Sequence, residues 1–117
     1  MPSRFFEDFT VGEEWSFPPW VLDEASVTGF AKQYDAQPMH TDPVAAAEGP
    51  YGVVIASGWQ TALNCVAPFL EAVMKDTAGL ASPGFDVFRW SKPVRAGDPI
   101  MPQAKVLEKR VSKSKPD

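Results

Sequence analysis

The feature that most constrains the fold is a long run of apolar residues that begins at Trp59. The run is interrupted by Pro68, which is expected to kink a helix or remove a hydrogen bond from it. Its apolar positions recur at helical spacing and surround most of the helix: Trp59, Ala62, Leu63, Val66, Ala67, Leu70, Val73 and Met74. A helix with this pattern is expected to be buried on several sides.

The segments that could cover such a helix resemble strands. Alternating aromatic residues over 13–20, an aromatic and β-branched run over 85–94, and a further run over 100–111 are strand candidates. Pro99 and Pro102 confine the start of the last one to a sheet edge or a bulge. We therefore predict one α+β domain over 1–117, an antiparallel sheet wrapped around a long helix, with a polar tail over 112–117.

The number of strand candidates is small for this architecture. Sheets usually contain about four to six strands, and only three or four can be counted here. We therefore expect either that the last strands of the usual domain are missing from these 117 residues or that a second copy supplies cover.

Composition limits the partners and the cellular setting. No apolar run approaches the length of about 20 residues that spans a bilayer, and the first residues, MPSRFFEDF, do not resemble a secretory signal. The net charge of −4 argues against nucleic acid. The single cysteine, Cys65, and the single histidine give no zinc pattern. We expect a cytoplasmic protein with no metal, no cofactor and no membrane or nucleic-acid partner.

The stretch YDAQPMHTD carries the first candidate site. A helix that Asp23 caps should end near Asp35, and Pro38 should turn the following segment into a loop that carries His40. Asp42 and the proline after it should open another short helix that extends to residue 48. A carboxylate and an imidazole in one small volume can transfer protons near neutral pH. A structural salt bridge is the alternative.

The second candidate site is the start of the long helix. Ser57 can cap that helix, and the N–H of Gly58 would then be free to bind an anion or a developing negative charge. The alternative is an ordinary N-cap followed by a glycine that serves packing. Together with an acid–base pair, the helix start could polarise a carbonyl and move a proton on the adjacent carbon.

These motifs resemble the MaoC-like dehydratases, which include the R-specific enoyl-CoA hydratases. The similar segments are Asp35-Ala-Gln-Pro-Met-His40-Thr-Asp-Pro43, then Ile55-Ala-Ser-Gly58, and then the segment from Arg89 to Asp98. The resemblance implies the hotdog fold, a homodimer, and an acyl-CoA site at the subunit interface. It also implies that Asp35 and His40 activate a water and that the Gly58 N–H binds the thioester oxygen.

Other residues are expected to contact the substrate. Gln37 and Ser57 stand where asparagine and histidine are common in the resembling family, and Lys92 and Arg95 could meet the phosphates of coenzyme A. The residues assigned to substrate binding are Ser57, Gln37, Trp59, Lys92 and Arg95.

The expected function is therefore that of a hydro-lyase of fatty-acid metabolism, which adds water to a trans-2-enoyl-CoA thioester or removes it from a 3-hydroxyacyl-CoA. Two alternatives remain open at this point. A hotdog acyl-CoA thioesterase would use the same oxyanion hole, and a hotdog module that binds acyl-CoA without catalysis would use the same pocket.

Overall fold

The computed structural model describes residues 2–79 and 81–111, so the predicted polar tail, 112–117, lies outside the described residues. Helices dominate the first two thirds of the described chain, and short antiparallel strands flank them. The helices are α1 (Glu24–Tyr34), α2 (Pro38–Thr41), α3 (Pro43–Ala47) and α4 (Gly58–Ala72), with 3₁₀ turns at Phe6–Asp8 and Met74–Asp76. The strands are β1 (Glu14–Ser16), β2 (Trp20–Val21), β3 (Pro99–Ile100) and β4 (Gln103–Lys105). This content confirms the predicted α+β class.

Side-chain caps determine where the helices begin. The Asp23 carboxylate accepts a hydrogen bond from the Ser26 N–H at 2.8 Å, and the Asp42 carboxylate accepts from the first turn of α3. Each bond satisfies N–H groups that have no partner inside the helix. Both predicted N-caps are confirmed.

The segment around His40 differs from its prediction. It forms a one-turn helix, α2, rather than a loop. Pro38 occupies the first turn of that helix, where its missing N–H has no intrahelical partner to lose. A proline therefore starts this helix instead of preventing it.

The strands pair in two separate antiparallel ribbons, β1 with β4 and β2 with β3. Trp15 lies opposite Ala104 in the first ribbon, and Trp20 lies opposite Ile100 in the second. A third antiparallel contact joins the segment 54–56 to 94–96: the Ala56 N–H donates to the Val94 carbonyl at 2.7 Å, and the Ala96 N–H donates to the Val54 carbonyl at 3.0 Å.

Two predicted strands are corrected by this pairing. The run 85–94 forms no regular strand, and residues 85–93 are exposed, because no neighbouring segment offers that run a ladder of hydrogen bonds within the described residues. The run 100–111 forms strand only at Ile100 and over Gln103–Lys105, because Pro102 between them has no N–H to donate. The predicted broad sheet is thus two narrow ribbons in the part of the chain that the structure describes.

Helix α4 continues past Pro68 but ends at Ala72, before Val73 and Met74 of the predicted helix. Its predicted burial on several sides is not found within the described residues of one chain. Gln60 is its one buried residue. The exposed apolar residues follow one face at helical spacing: Trp59, Leu63, Val66 and Leu70. The expected cover on several sides is therefore absent among the described residues, and this exposed stripe is one face of α4. No helix in the described ranges is long and apolar enough to cross a membrane.

The buried core is small and consists of short side chains. Val27 of α1, Ala46 of α3, and Val54 and Ala56 from the segment before α4 form its centre. Partly buried apolar residues surround that centre: Leu22, Val53, Val94 and Ala96. The core therefore lies where α1 and α3 meet the paired segments 54–56 and 94–96.

Shortening a side chain at the centre of this core should destabilise the protein. Val54 is completely buried, so Val54→Ala should lower the free energy of unfolding by about 2 kcal/mol through lost burial and an unfilled cavity. The matched change Val87→Ala removes the same atoms from a side chain that is 69% exposed and should change the stability little. Denaturant unfolding measures both. Equal losses in the two variants would contradict the assignment of the core.

Candidate active site

Asp35 ends helix α1, and two side chains hold its carboxylate. The Asp35 N–H donates to the Ala31 carbonyl at 2.8 Å, which keeps the residue attached to the last turn. Gln37 Nε2 donates to Oδ1 at 2.6 Å, and Ser57 Oγ donates to Oδ2 at 2.7 Å. Each carboxylate oxygen is thus fixed by one donor, and the acid has a defined orientation.

His40 lies beside that carboxylate and is buried in α2, with 4% of the residue exposed. Its Nδ1 is 2.7 Å from the Ile55 carbonyl oxygen. A carbonyl can only accept, so Nδ1 must carry a proton. In the neutral imidazole, Nε2 is then the free acceptor, and it lies 3.5 Å from Asp35 Oδ2.

The pair formed by His40 Nε2 and Asp35 Oδ2 can orient a water. At 3.5 Å the two atoms are too far apart for a good direct hydrogen bond, and both are acceptors when the imidazole is neutral and the carboxylate is ionised. A water has two protons and could donate one to each atom. The same two atoms can accept a proton from that water, which is the chemistry of a general base.

The start of α4 meets this pair through Ser57. Its side chain is completely buried, caps α4 by accepting from the Trp59 N–H at 3.3 Å, and donates to Asp35. The N–H of Gly58 has no protein acceptor among the described residues. The acid–base pair and the helix start, which the sequence suggested as two candidate sites, therefore lie in one place.

Trp90 contacts the first residue of α4, and the sequence did not indicate this contact. Its indole Nε1–H donates to the Gly58 carbonyl at 2.7 Å, and its ring lies against the Gly58 Cα. The two residues are 32 positions apart in the chain, and no sequence pattern predicts their contact. Trp90 also stacks edge-to-face with Trp59 and Phe88, with ring centroids 5.6 and 4.8 Å away.

An open pocket of about 440 Å³ lies over these groups. Residues with polar or aromatic side chains on its wall include Asp35, Gln37, His40, Trp59, Trp90 and Lys92, and the backbone of Gly58 also lines it. Such a volume is typical of a site for a small molecule.

The environment of Asp35 favours its charged form. The hydrogen bond from Gln37 lowers the pKa of Asp35 most, followed by the bond from Ser57, and the nearby His40 lowers it further, whereas partial burial acts in the opposite direction. Asp35 is therefore ionised over the whole neutral range. The thiol of Cys65 lies outside the pocket, and burial raises its pKa.

Comparison with known proteins identifies the family. The family model described as the MaoC like domain matches residues 7–117. The chain belongs to this family. The MaoC-like dehydratase from Rhodospirillum rubrum superposes with a TM-score of 0.72 at 32% identity, over 95% of this chain and 75% of that one. The unliganded R-hydratase PhaJ1 from Pseudomonas aeruginosa superposes with a TM-score of 0.69 at 25% identity, over 90% of this chain and 66% of that one.

A relative whose name mentions neither a dehydratase nor a hydratase is also similar to this chain. Nodulation protein N from Rhizobium meliloti (strain 1021) is 38% identical over 96 residues, which are 77% of this chain and 59% of that protein. The chain thus spans less than two thirds of the length of this relative. The MaoC-like membership and the hotdog fold predicted from the sequence are confirmed.

The residues expected to bind substrate occupy different places in this MaoC-like site. Gln37, Trp59 and Lys92 line the pocket. Ser57 is completely buried with its hydroxyl on Asp35, so it faces the acid and not the pocket. Arg95 lies outside the pocket wall, and its Nε donates to the Tyr51 carbonyl at 3.4 Å. Within the described ranges, no three histidine, cysteine or acidic side chains form a group that could hold a metal ion.

The role of Gln37 can be tested by titration. Gln37→Met removes the strongest donor to the Asp35 carboxylate, so the pKa of Asp35 should rise toward the ordinary value of an aspartate. Carboxyl NMR signals followed against pH measure this directly. The matched change Gln33→Met, at an exposed position of α1, should leave the titration of Asp35 unchanged.

The same change should alter the dependence of stability on pH. A lowered native pKa contributes stability above the pKa of the unfolded chain, and this contribution is lost as the pH falls through the native value. As the pH rises from acidic to neutral, the free energy of unfolding of Gln37→Met should therefore increase less than that of the wild type. An unchanged Asp35 titration in Gln37→Met would contradict the assignment.

Proposed function

We propose that this MaoC-like protein is a hydro-lyase that adds water to a trans-2-enoyl thioester of coenzyme A or removes water from the corresponding 3-hydroxyacyl thioester. The observation that carries the proposal is the convergence of Asp35, His40 and the Gly58 N–H on one pocket. The similar Pseudomonas aeruginosa protein is an R-hydratase, and this likeness supports the reaction class.

The hydration step follows from the donors and acceptors of the site. A water held between His40 Nε2 and Asp35 Oδ2 adds its oxygen to C3 of the enoyl group and gives one proton to this pair. The electrons of the C2–C3 double bond move toward the thioester, whose oxygen accepts from the Gly58 N–H as negative charge develops. C2 then receives a proton from the same pair, so the net change is one water added and no change of oxidation state.

A positively charged side chain on the pocket wall supports the proposal that the substrate is a thioester of a large anionic carrier. Lys92 lies on that wall and is exposed, so its ammonium group can meet a phosphate as a point charge. Arg95, which is exposed and outside the wall, would contact only a part of the carrier that extends beyond the pocket. We assign both residues to the coenzyme A portion and Trp59 to the acyl portion.

Replacing either member of the acid–base pair should abolish most turnover without unfolding the chain. His40→Asn keeps a side-chain donor that can reach the Ile55 carbonyl but has no base at the Nε2 position. Asp35→Asn keeps the shape of the carboxylate and removes its charge. Hydration of crotonyl-CoA, followed by loss of enoyl absorbance, should fall by roughly 100-fold or more in each variant. Turnover near the wild-type rate in both variants would contradict the proposal.

The two rival functions give different products in the same assay. A thioesterase would release free thiol, which a thiol-reactive dye detects, whereas hydration releases none. A module that only binds acyl-CoA would bind butanoyl-CoA and leave crotonyl-CoA unchanged. Either result with the wild-type protein would replace the hydro-lyase proposal.

We also infer that the protein self-associates through the exposed stripe of α4. Trp59, Leu63, Val66 and Leu70 are each between 39% and 58% exposed, and an apolar face of this kind is usually covered in solution. Trp59 belongs both to this stripe and to the pocket wall, so a second copy on the stripe would lie beside the pocket.

A charge placed within the stripe should separate the copies. Leu63→Glu should reduce the mass measured by light scattering toward that of one chain, because a carboxylate is costly to bury at an apolar interface. The matched change Gln33→Glu adds a charge elsewhere and should leave the mass unchanged. A wild-type mass of one chain at micromolar concentration would contradict this inference.

A further inference from the structure

The first peptide group of α4, between Gly58 and Trp59, is held at both ends by side chains. Its N–H donates to Ser57 Oγ at 3.3 Å, and its carbonyl accepts from Trp90 Nε1 at 2.7 Å. Since Ser57 Oγ also donates to Asp35, a continuous chain of hydrogen bonds connects the acid to the indole. Trp90 is the only member of this chain that comes from the exposed segment 81–93.

The indole also occupies the space beside the glycine. A Cβ placed on Gly58 would lie 2.6 Å from Trp90 Nε1 and 2.7 Å from Cδ2, which no unstrained contact permits. Alanine is a much better helix former than glycine, and the backbone of Gly58 has no positive φ that would require glycine. A side chain at position 58 would therefore displace the ring that lies against the Gly58 Cα.

We propose that Trp90 is a positioning residue of the active site, which fixes the Gly58 backbone so that its N–H points at the thioester oxygen. This inference rests on the proposed function. Its physical basis is that hydrogen-bond donors stabilise a developing charge only when they are oriented in advance. The ring restrains the Gly58 Cα from the side and its N–H restrains the Gly58 carbonyl, which leaves the residue little freedom to rotate.

The ring should act on the rate more than on substrate affinity. Trp90→Phe keeps an aromatic ring against Gly58 and removes the indole N–H. We expect kcat for crotonyl-CoA to fall by about threefold to tenfold, which corresponds to one hydrogen bond, while KM changes by less than about twofold. An unchanged kcat would overturn the proposal.

The matched control is Trp20→Phe. The Trp20 Nε1–H is buried without an acceptor among the described residues, so this change removes an indole N–H but no hydrogen bond. Trp20 lies in β2, away from the pocket wall. The kcat of Trp20→Phe should equal that of the wild type. A loss as large as that of Trp90→Phe would show that removing any indole lowers kcat, and the proposal would be overturned.

A double-mutant cycle tests the contact itself. Gly58→Ala should push the ring aside, because Trp90 is 47% exposed and can move, and thereby break the bond to the Gly58 carbonyl. Trp90→Ala removes the ring and the same bond. The double variant should therefore lose no more kcat than the more damaged single variant. Losses that multiply would mean that the new methyl group meets the substrate, and the proposal would be wrong.

A binding measurement separates this inference from the proposed function. If the wild type binds butanoyl-CoA but does not hydrate crotonyl-CoA, the hydro-lyase proposal fails. In that case the Gly58 N–H would serve binding of the unreacted thioester alone, so weaker butanoyl-CoA binding by Trp90→Phe than by Trp20→Phe still supports a positioning role, and equal binding overturns it. If the wild type binds neither thioester, both proposals are wrong.

Discussion

The hydroxyl of Ser57 is the contact on which the rest of the site depends. It has one proton, which it gives to Asp35, and its lone pairs accept the Trp59 N–H at the start of α4. One atom therefore caps a helix and orients an acid that lies 22 residues earlier in the chain. Its complete burial keeps water from competing for either bond. The acid and the helix start consequently form one rigid unit.

The charge on Asp35 is maintained against two unfavourable influences. The residue ends α1, where the partial negative charge of a helix C-terminus opposes a carboxylate, and partial burial also disfavours ionisation. The donors Gln37 and Ser57 outweigh both, since the pKa of Asp35 is lowered and not raised. In the proposed reaction, a carboxylate in this environment would serve to hold the attacking water in place.

Features of the fold that depend on neighbouring residues could be predicted from the sequence. Features that depend on contacts between residues far apart in the chain could not. Asp23 and Asp42 indicated helix starts correctly because a cap involves residues only two or three positions apart. The run 85–94 was assigned wrongly because a strand needs a partner, which its own composition does not supply. The predicted burial of α4 is not met within the described part of one chain for the same reason, since periodicity shows which face is apolar but not what covers it.

The candidate site shows the same division. The sequence suggested the acid–base pair from the spacing of Asp35 and His40, and it suggested the helix start from the glycine after Ser57. These two parts are brought together by hydrogen bonds between residues that are 15 and 22 positions apart, which the sequence does not show. The contact between Trp90 and Gly58 left no signal because it joins residues 32 positions apart, and Trp90 lies in a segment without regular structure. Resemblance to a family indicated that the other segments belong to one site, but it did not identify the tryptophan.

The bond between His40 and the Ile55 carbonyl has a consequence for how such a pocket can change. The acceptor is a main-chain atom, so the position of the imidazole proton does not depend on which side chain residue 55 carries. Ile55 itself lines the pocket. Substitutions there can reshape the cavity while the imidazole keeps the same tautomer, so the shape of this pocket can diverge without changing which imidazole nitrogen carries the proton.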